Sequence, residues 1–271
     1  MKIIFFFIIG FLMASYQGFA QIDTAKFNQK DSKGLKQGKW KKVYPNKNIA
    51  YEMYFVDDKP VGEYKRYDED GKLYIVMNYD SKGEFATAKF YDEEGNVITE
   101  GFYWGKDKDS LWRYFRQPGK VLSQEERFVR GKKEGMDRIF YPNGKVSDEK
   151  RYKNGKANGI WRQYFETGAV RIEALYKDGM LEGGFRVYHI NGQIGETGKY
   201  EKNIRVGKWQ VFEADGKLKE EVSYVNGVPS NQKDLDVKET NKMKELNKNK
   251  DQLEDPEKYK NNPDEFIRLK N

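Results

Sequence analysis

The sequence predicts an all-β chain: tandem β-hairpins laid side by side into one elongated, single antiparallel sheet, followed by a polar, partly helical C-terminal tail. Three observations carry this. First, the stretch GIWRQYFETG from Gly159 to Gly168 recurs from positions 38, 62, 86, 110, 135, 159, 183 and 207, every step being 24 residues except one of 25. A fixed period of that size marks a repeat array. Second, each copy holds a turn signal in its middle, such as Asn143-Gly144, Asn191-Gly192, Asp70-Gly71 and Asp215-Gly216. Asn-Gly or Asp-Gly between alternating runs is a strong hairpin signal, because both residues accept positive φ. Third, aromatic and charged residues keep fixed places in every copy, as a pleated strand with two faces requires.

Residues 1–20, MKIIFFFIIGFLMASYQGFA, open with Lys2, continue as an apolar run and close on small residues, Gly18 and Ala20, before Gln21. This is the layout of a cleaved signal peptide, and the run is short for a membrane span of about 20 apolar residues. The expected location is outside the cytoplasm: periplasm, outer-membrane surface or medium. Residues 21–33 read as a polar lead-in and residues 34–229 as the array. Residues 230–271 read as a charged, largely flexible tail with a marginal helix from about Val237 to Leu253. In that tail Phe266, Ile267 and Leu269 are candidates to dock on the last hairpin or on a partner.

Counting from the first residue of each copy, offsets 1 to 6 form one strand and about 10 to 17 the next, giving about sixteen strands. Offset 2 carries Trp40, Tyr64, Trp112, Trp161, Phe185 and Trp209. Offset 11 is always aliphatic, from Ile49 to Leu218. Near offset 17 stands Phe55, Tyr79, Tyr103, Phe128, Tyr152, Tyr176, Tyr200 or Tyr224. A two-residue turn makes paired offsets sum to 17. Offsets 2, 11 and 17 then share the more buried face, with the offset-17 ring over the glycine that starts the copy. A Pro-Asn-Gly turn with a bulge shifts this register by one, which makes Arg138 and Glu149 diagonal.

The opposite face is expected to carry offset 3, basic in seven copies (Lys41, Lys65, Lys89, Arg113, Arg138, Arg162, Arg186), against offset 14, glutamate at Glu52, Glu100, Glu149, Glu173 and Glu221. Glu125 takes that place one residue late. Offset 5 adds Tyr67, Tyr91, Phe115, Phe140, Tyr164, Tyr188 and Phe212. Exposed rings beside arginine suit a partner's polar surface. These seven rings, with Arg113, Arg138, Arg162 and Arg186, are therefore the candidate partner-binding face.

The unit resembles the MORN-repeat variant found in bacterial proteins called YwqK-family antitoxins. The matching residues are Gly159, Trp161 and Tyr164, the turn glycine Gly168, Glu173, and Tyr176 with Gly179. The resemblance covers about residues 34–229. It implies a sheet of hairpins used for protein or membrane contact, and the antitoxin label implies a toxin partner. The third copy departs from the pattern, with Ala86 and Ala88 in place of Gly and Trp.

Composition narrows the chemistry. There is no cysteine, so disulfides and thiolate metal sites are excluded. The single histidine, His189, leaves no triad and reads as structural. Net charge is +7, with 50 basic residues interspersed among 43 acidic ones. That permits weak attraction to an anionic lipid or glycan surface, but a glutamate row beside the lysines repels phosphate, which argues against nucleic acid. A surface of equivalent glutamates offers no unique pair of carboxylates for catalysis. The expectation is a non-enzymatic binding or scaffold protein with a protein partner, no cofactor, no metal and no small-molecule substrate.

Overall fold

The computed structural model describes residues 26–248. The expected leader and Leu253, Phe266, Ile267 and Leu269 lie outside the described residues. The chain divides into two compact units, with the boundary in the sequence between Gly155 and Lys156.

The N-terminal unit contains β1 (Gln29–Lys30), β2 (Lys36–Val43), β3 (Ile49–Val56), β4 (Lys59–Tyr67), β5 (Leu73–Tyr79), β6 (Phe85–Tyr91), β7 (Val97–Trp104), β8 (Asp107–Arg116), β9 (Val121–Val129), β10 (Lys132–Lys133), β11 (Gly135–Phe140) and β12 (Val146–Lys153). Strands β1 to β9 pair antiparallel, each with the next along the chain, β9 receives both β10 and β11, and β11 pairs with β12. The C-terminal unit repeats the scheme with β13 (Lys156–Tyr164), β14 (Val170–Lys177), β15 (Met180–Tyr188), β16 (Ile194–Glu201), β17 (Ile204–Phe212), β18 (Leu218–Val225) and β19 (Val228–Pro229). The helix α1 (Gln232–Lys248) follows. It begins five residues before the expected start, and none of its side chains is buried. The fold is therefore all-β, built of tandem antiparallel hairpins, as the 24-residue period predicts.

The register is where structure and sequence part. Gly38 faces Phe55, Trp40 faces Met53 and Lys41 faces Glu52, so these offsets do sum to 17. The turn inside a copy, however, is not a two-residue turn. Tyr141 N–H bonds the Lys145 carbonyl at 2.8 Å and Gly144 N–H bonds the Tyr141 carbonyl at 2.9 Å. Gly144 has φ 82° while Asn143 is absent from the positive-φ residues. This is a type I turn closed by a glycine bulge. It moves the end of the hairpin to a sum of 16, so Phe140 faces Val146, and a second bulge at offset 12 restores 17 by Asp148. Arg138 therefore faces Glu149 directly rather than diagonally, because the two bulges cancel.

The same second bulge corrects the face assignment. Offset 11 pairs with offset 5 (Tyr67 with Leu73, Tyr164 with Val170, Phe212 with Leu218). Opposed residues in an antiparallel pair share a face. The aliphatic row thus lies on the charged face with the offset-5 rings, not under the tryptophans, except in the fourth copy, where Leu122 faces Phe115 and Val121 faces Arg116. Turns with two positive-φ residues occur between copies, as at Asp178-Gly179 (51° and 90°) and Asn226-Gly227 (51° and 83°), and inside the fourth copy at Gly119-Lys120 (91° and 54°).

Where a copy starts, its glycine bulges against the preceding strand; Gly207 has φ 65°, and the β16–β17 register slips there. Ser110 takes the same conformation at 56°. Ala86 does not, and the β5–β6 register runs without a slip. The core follows from the bulges. Trp112 and Trp209 are 1% and 3% exposed. Each lies on a glycine of the preceding strand, Gly101 and Gly198, where an added Cβ would meet the indole at 2.3 Å and 2.1 Å. The offset-17 rings stand against these tryptophans instead of over the starting glycines: Tyr103–Trp112 and Tyr200–Trp209 both have centroids 5.0 Å apart, nearly perpendicular. Nothing lies within 4 Å of a Cβ at Gly62 or Gly207, because positive φ turns that direction away from the ring.

Candidate interaction face

Two faces carry different chemistry in each unit. On the tryptophan face a cation two residues before the copy start lies over the rings. Lys108 Nζ is 4.3 Å from the Trp112 ring centre, Lys36 Nζ is 5.0 Å from Trp40, and the Arg205 guanidinium is 4.0 Å from Trp209. In the fifth copy Asp137 stands where tryptophan is expected, and the face becomes polar. Glu126, 9% exposed, accepts from Lys133 Nζ at 2.6 Å and from the Tyr114 hydroxyl at 2.6 Å. Lys133 also reaches Asp137 at 2.6 Å, and Lys108 donates to the Tyr114 oxygen at 2.7 Å. Burial, then the hydrogen bond and charge of Glu126, push the Tyr114 phenol up. Burial also pushes the Glu126 carboxyl up, but hydrogen bonds from Lys133 and Tyr114 outweigh it and hold the group below its usual range. Both groups keep their resting forms at neutral pH, and every member is partnered. The cluster ties β8, β9, β10 and β11 together.

The charged face is the one the sequence singles out. Arg162 Nε bonds Glu173 at 2.9 Å, and Arg186 reaches the same carboxylate at 3.6 Å from the next strand. Arg113 sits between Glu125 at 3.1 Å and Glu100 at 3.8 Å, and Arg138 lies 3.6 Å from Glu149. All four candidate arginines therefore stand in the glutamate ladder. Gln210, the non-basic member, bonds Glu221 at 2.8 Å. Lys65 turns along its own strand to Glu63. The seven offset-5 rings are half-buried beside this ladder, and Lys120 lies 4.7 Å over Phe115.

Two anchors on this face have no repeat counterpart and escape a periodicity argument. Phe85 faces Trp104 and Thr87 faces Phe102 in the same register that sets Lys89 opposite Glu100. Phe85 stacks on Phe102 at 5.6 Å, Trp104 is 43% exposed, and Arg130 lies 5.4 Å over its ring. Phe27 is 38% exposed with Lys41 Nζ 4.3 Å above it. The signal in the sequence is their departure from the repeat, an aromatic residue where sibling copies have none. His189 Nε2 donates to the Phe212 carbonyl at 2.9 Å, as the Tyr44 hydroxyl does to Tyr67. Each staples one turn to the next, a structural role.

Among the described residues no cluster of three or more His, Asp or Glu is placed to hold a metal, and no helix is long and apolar enough to cross a membrane. Two shallow clefts lie in the N-terminal unit. One of about 390 Å³ lies beside Phe27, Trp40 and Met53, and one of about 700 Å³ lies between Tyr44, Tyr51, Tyr64 and Arg66.

Bulged hairpins at a fixed period, with an aromatic face and a laddered charged face, define a tandem β-hairpin repeat protein. Residues 36–57, 60–81, 86–104, 133–154, 157–178 and 205–226 match the MORN repeat variant, and the chain is a MORN-repeat protein. The copies that begin at Ser110 and Gly183 fall outside the matched stretches. No curated protein sequence matches the chain. Among solved structures, a variant of S. aureus TarM in complex with fondaparinux, alpha-GlcNAc-glycerol and UDP is similar at 17% identity and a TM-score of 0.26, over 36% of this chain and 19% of that one. Another TarM crystal structure is similar at 16% identity and a TM-score of 0.25, over 35% of this chain and 20% of that one. The chain thus spans about a fifth of the length of either.

Proposed function

We propose that the chain is an exported, non-enzymatic binding or scaffold protein that presents its laddered face to a protein partner. The observation that carries this reading is the face itself: half-buried offset-5 rings between paired arginines, with the exposed anchors Trp104 and Phe27 each under a cation. Interface hot spots concentrate in aromatic residues and arginine, and arginines already paired to glutamate are held in place at little further entropic cost. Use of MORN repeats as binding modules supports the same reading. Export rests on the leader pattern of residues 1–20. A toxin partner of the antitoxin kind is a special case of this proposal, and for an exported chain that toxin is met outside the cytoplasm.

The test is site-specific photo-cross-linking in the native envelope. A photoreactive residue in place of Tyr67 or Tyr164 is expected to capture one discrete protein, and the same residue at Trp40 or Tyr224, on the opposite face, is expected to capture none. Equal capture from both faces, or capture of lipid or glycan alone, overturns the proposal.

A further inference from the structure

At the junctions between copies within each unit, the second strand of one hairpin receives the first strand of the next in the same register. Glu173 meets Arg186, flanked by Ile172 with Val187 and Ala174 with Phe185. Glu52 meets Lys65, Glu100 meets Arg113 and Glu125 meets Arg138. After β18 the chain starts this pairing again. Val225 faces Val228 and Tyr224 faces Pro229, as Lys177 and Tyr176 face Met180 and Leu181. Ser230 N–H still bonds the Ser223 carbonyl at 2.8 Å. Then the chain leaves the sheet at Asn231, whose buried side-chain oxygen has no hydrogen-bond partner, and enters α1. Among the described residues, no strand pairs with the outer side of Leu218–Val222, and Leu218 is 53% exposed. An open strand edge is a template for another strand.

The chain carries a segment with the matching pattern. Ile267-Arg268-Leu269 is apolar–basic–apolar, the order of Phe185-Arg186-Val187 at offsets 2, 3 and 4. The 17-residue helix spans about 25 Å, and the chain from 249 to 266, fully extended, reaches roughly 60 Å. It is long enough to return to β18. We propose that residues 266–270 dock on the free edge of β18 as the first strand of a ninth copy. Arg268 then stands opposite Glu221, Ile267 opposite Val222, and Leu269 opposite Glu220, as Val211 stands opposite Glu196. A partner that adds a strand at this end must first displace the chain's own tail. The inference uses the β18 edge and does not depend on the proposed role of the laddered face.

The test is residue-resolved amide hydrogen exchange on the full chain, read at the β18 amides that do not bond β17. In the unchanged protein these exchange at least tenfold more slowly than in Arg268→Glu. The charge-swapped pair Glu221→Arg with Arg268→Glu restores the protection, which separates lost docking from lost folding; amides of β16 and β17 serve as the internal control. Equal exchange in the unchanged protein and Arg268→Glu overturns the proposal. So does protection that grows with protein concentration, since that assigns the edge to a strand from a second copy.

Discussion

Ser110 shows at single-residue scale what the array demands. It occupies the bulge position with φ 56°, a region that costs an ordinary L-residue roughly 1–2 kcal/mol. Ser110→Gly is expected to stabilise the protein by about 0.5–1 kcal/mol in urea unfolding, the gain being trimmed by the greater freedom of glycine in the unfolded chain. Gly198 presents the opposite case. A methyl there would stand 2.1 Å from the Trp209 ring, so Gly198→Ala is expected to lower stability by about 1–3 kcal/mol. Glu126 sets a pH dependence. Its folded-state carboxyl lies below the unfolded value, so its stabilisation is present above the ordinary carboxylate range and is lost as pH falls through the folded value. Glu126→Gln is expected to cost about 1–3 kcal/mol at pH 7, because Lys133 and Tyr114 lose a charged acceptor. The variant should also show a shallower loss of stability between about pH 5 and pH 3 than the parent protein, read from denaturation midpoints at each pH.

The hairpin is the unit whose outline could be read from the chain and whose details could not. Turn residues and aromatic spacing locate each strand pair, and the Arg–Glu opposition at offsets 3 and 14 follows from counting. The two compensating bulges are invisible to counting, since they leave that sum unchanged while moving Leu73, Val146 and Val170 to the other face. The cations at Lys36, Lys108, Lys133 and Arg205 were equally hidden. They precede the starting residue, and sibling copies carry Pro60, Glu84, Ala157 or Leu181 there, so no column of like residues marks them. Within the C-terminal unit, the triple Arg162–Glu173–Arg186 permits an element-scale prediction. Its members are only half-buried, with side chains 33%, 27% and 51% exposed, so each pairing is worth about 0.2–1 kcal/mol. A double-mutant cycle on Arg162→Ala and Glu173→Ala is expected to give a coupling in that range, reduced at 1 M salt.

On the scale of the whole molecule, repetition pairs the arginines of the charged face with glutamates copy after copy. The chain carries +7, yet along the laddered face each of Arg113, Arg138, Arg162 and Arg186 has a glutamate within 4 Å. Trp104, Phe27 and the offset-5 rings supply the area that burial requires. What the period could not announce was this pair of anchors, because they are exceptions to it. Binding through such a face is driven by apolar burial, with charge fixing register. A polyanion surface engaged through 6–10 charge contacts, by contrast, loses about 10³–10⁵ in affinity between 50 and 200 mM salt. For the partner captured by cross-linking, the affinity is therefore expected to fall less than about tenfold over that range, and Trp104→Ala to weaken it by more than about 1 kcal/mol. Vesicles of anionic phospholipid, used as the competing probe, are expected not to retain the protein at 150 mM salt. Retention that collapses as salt rises, with Trp104→Ala bound as well as the parent, would assign the face to an anionic surface instead.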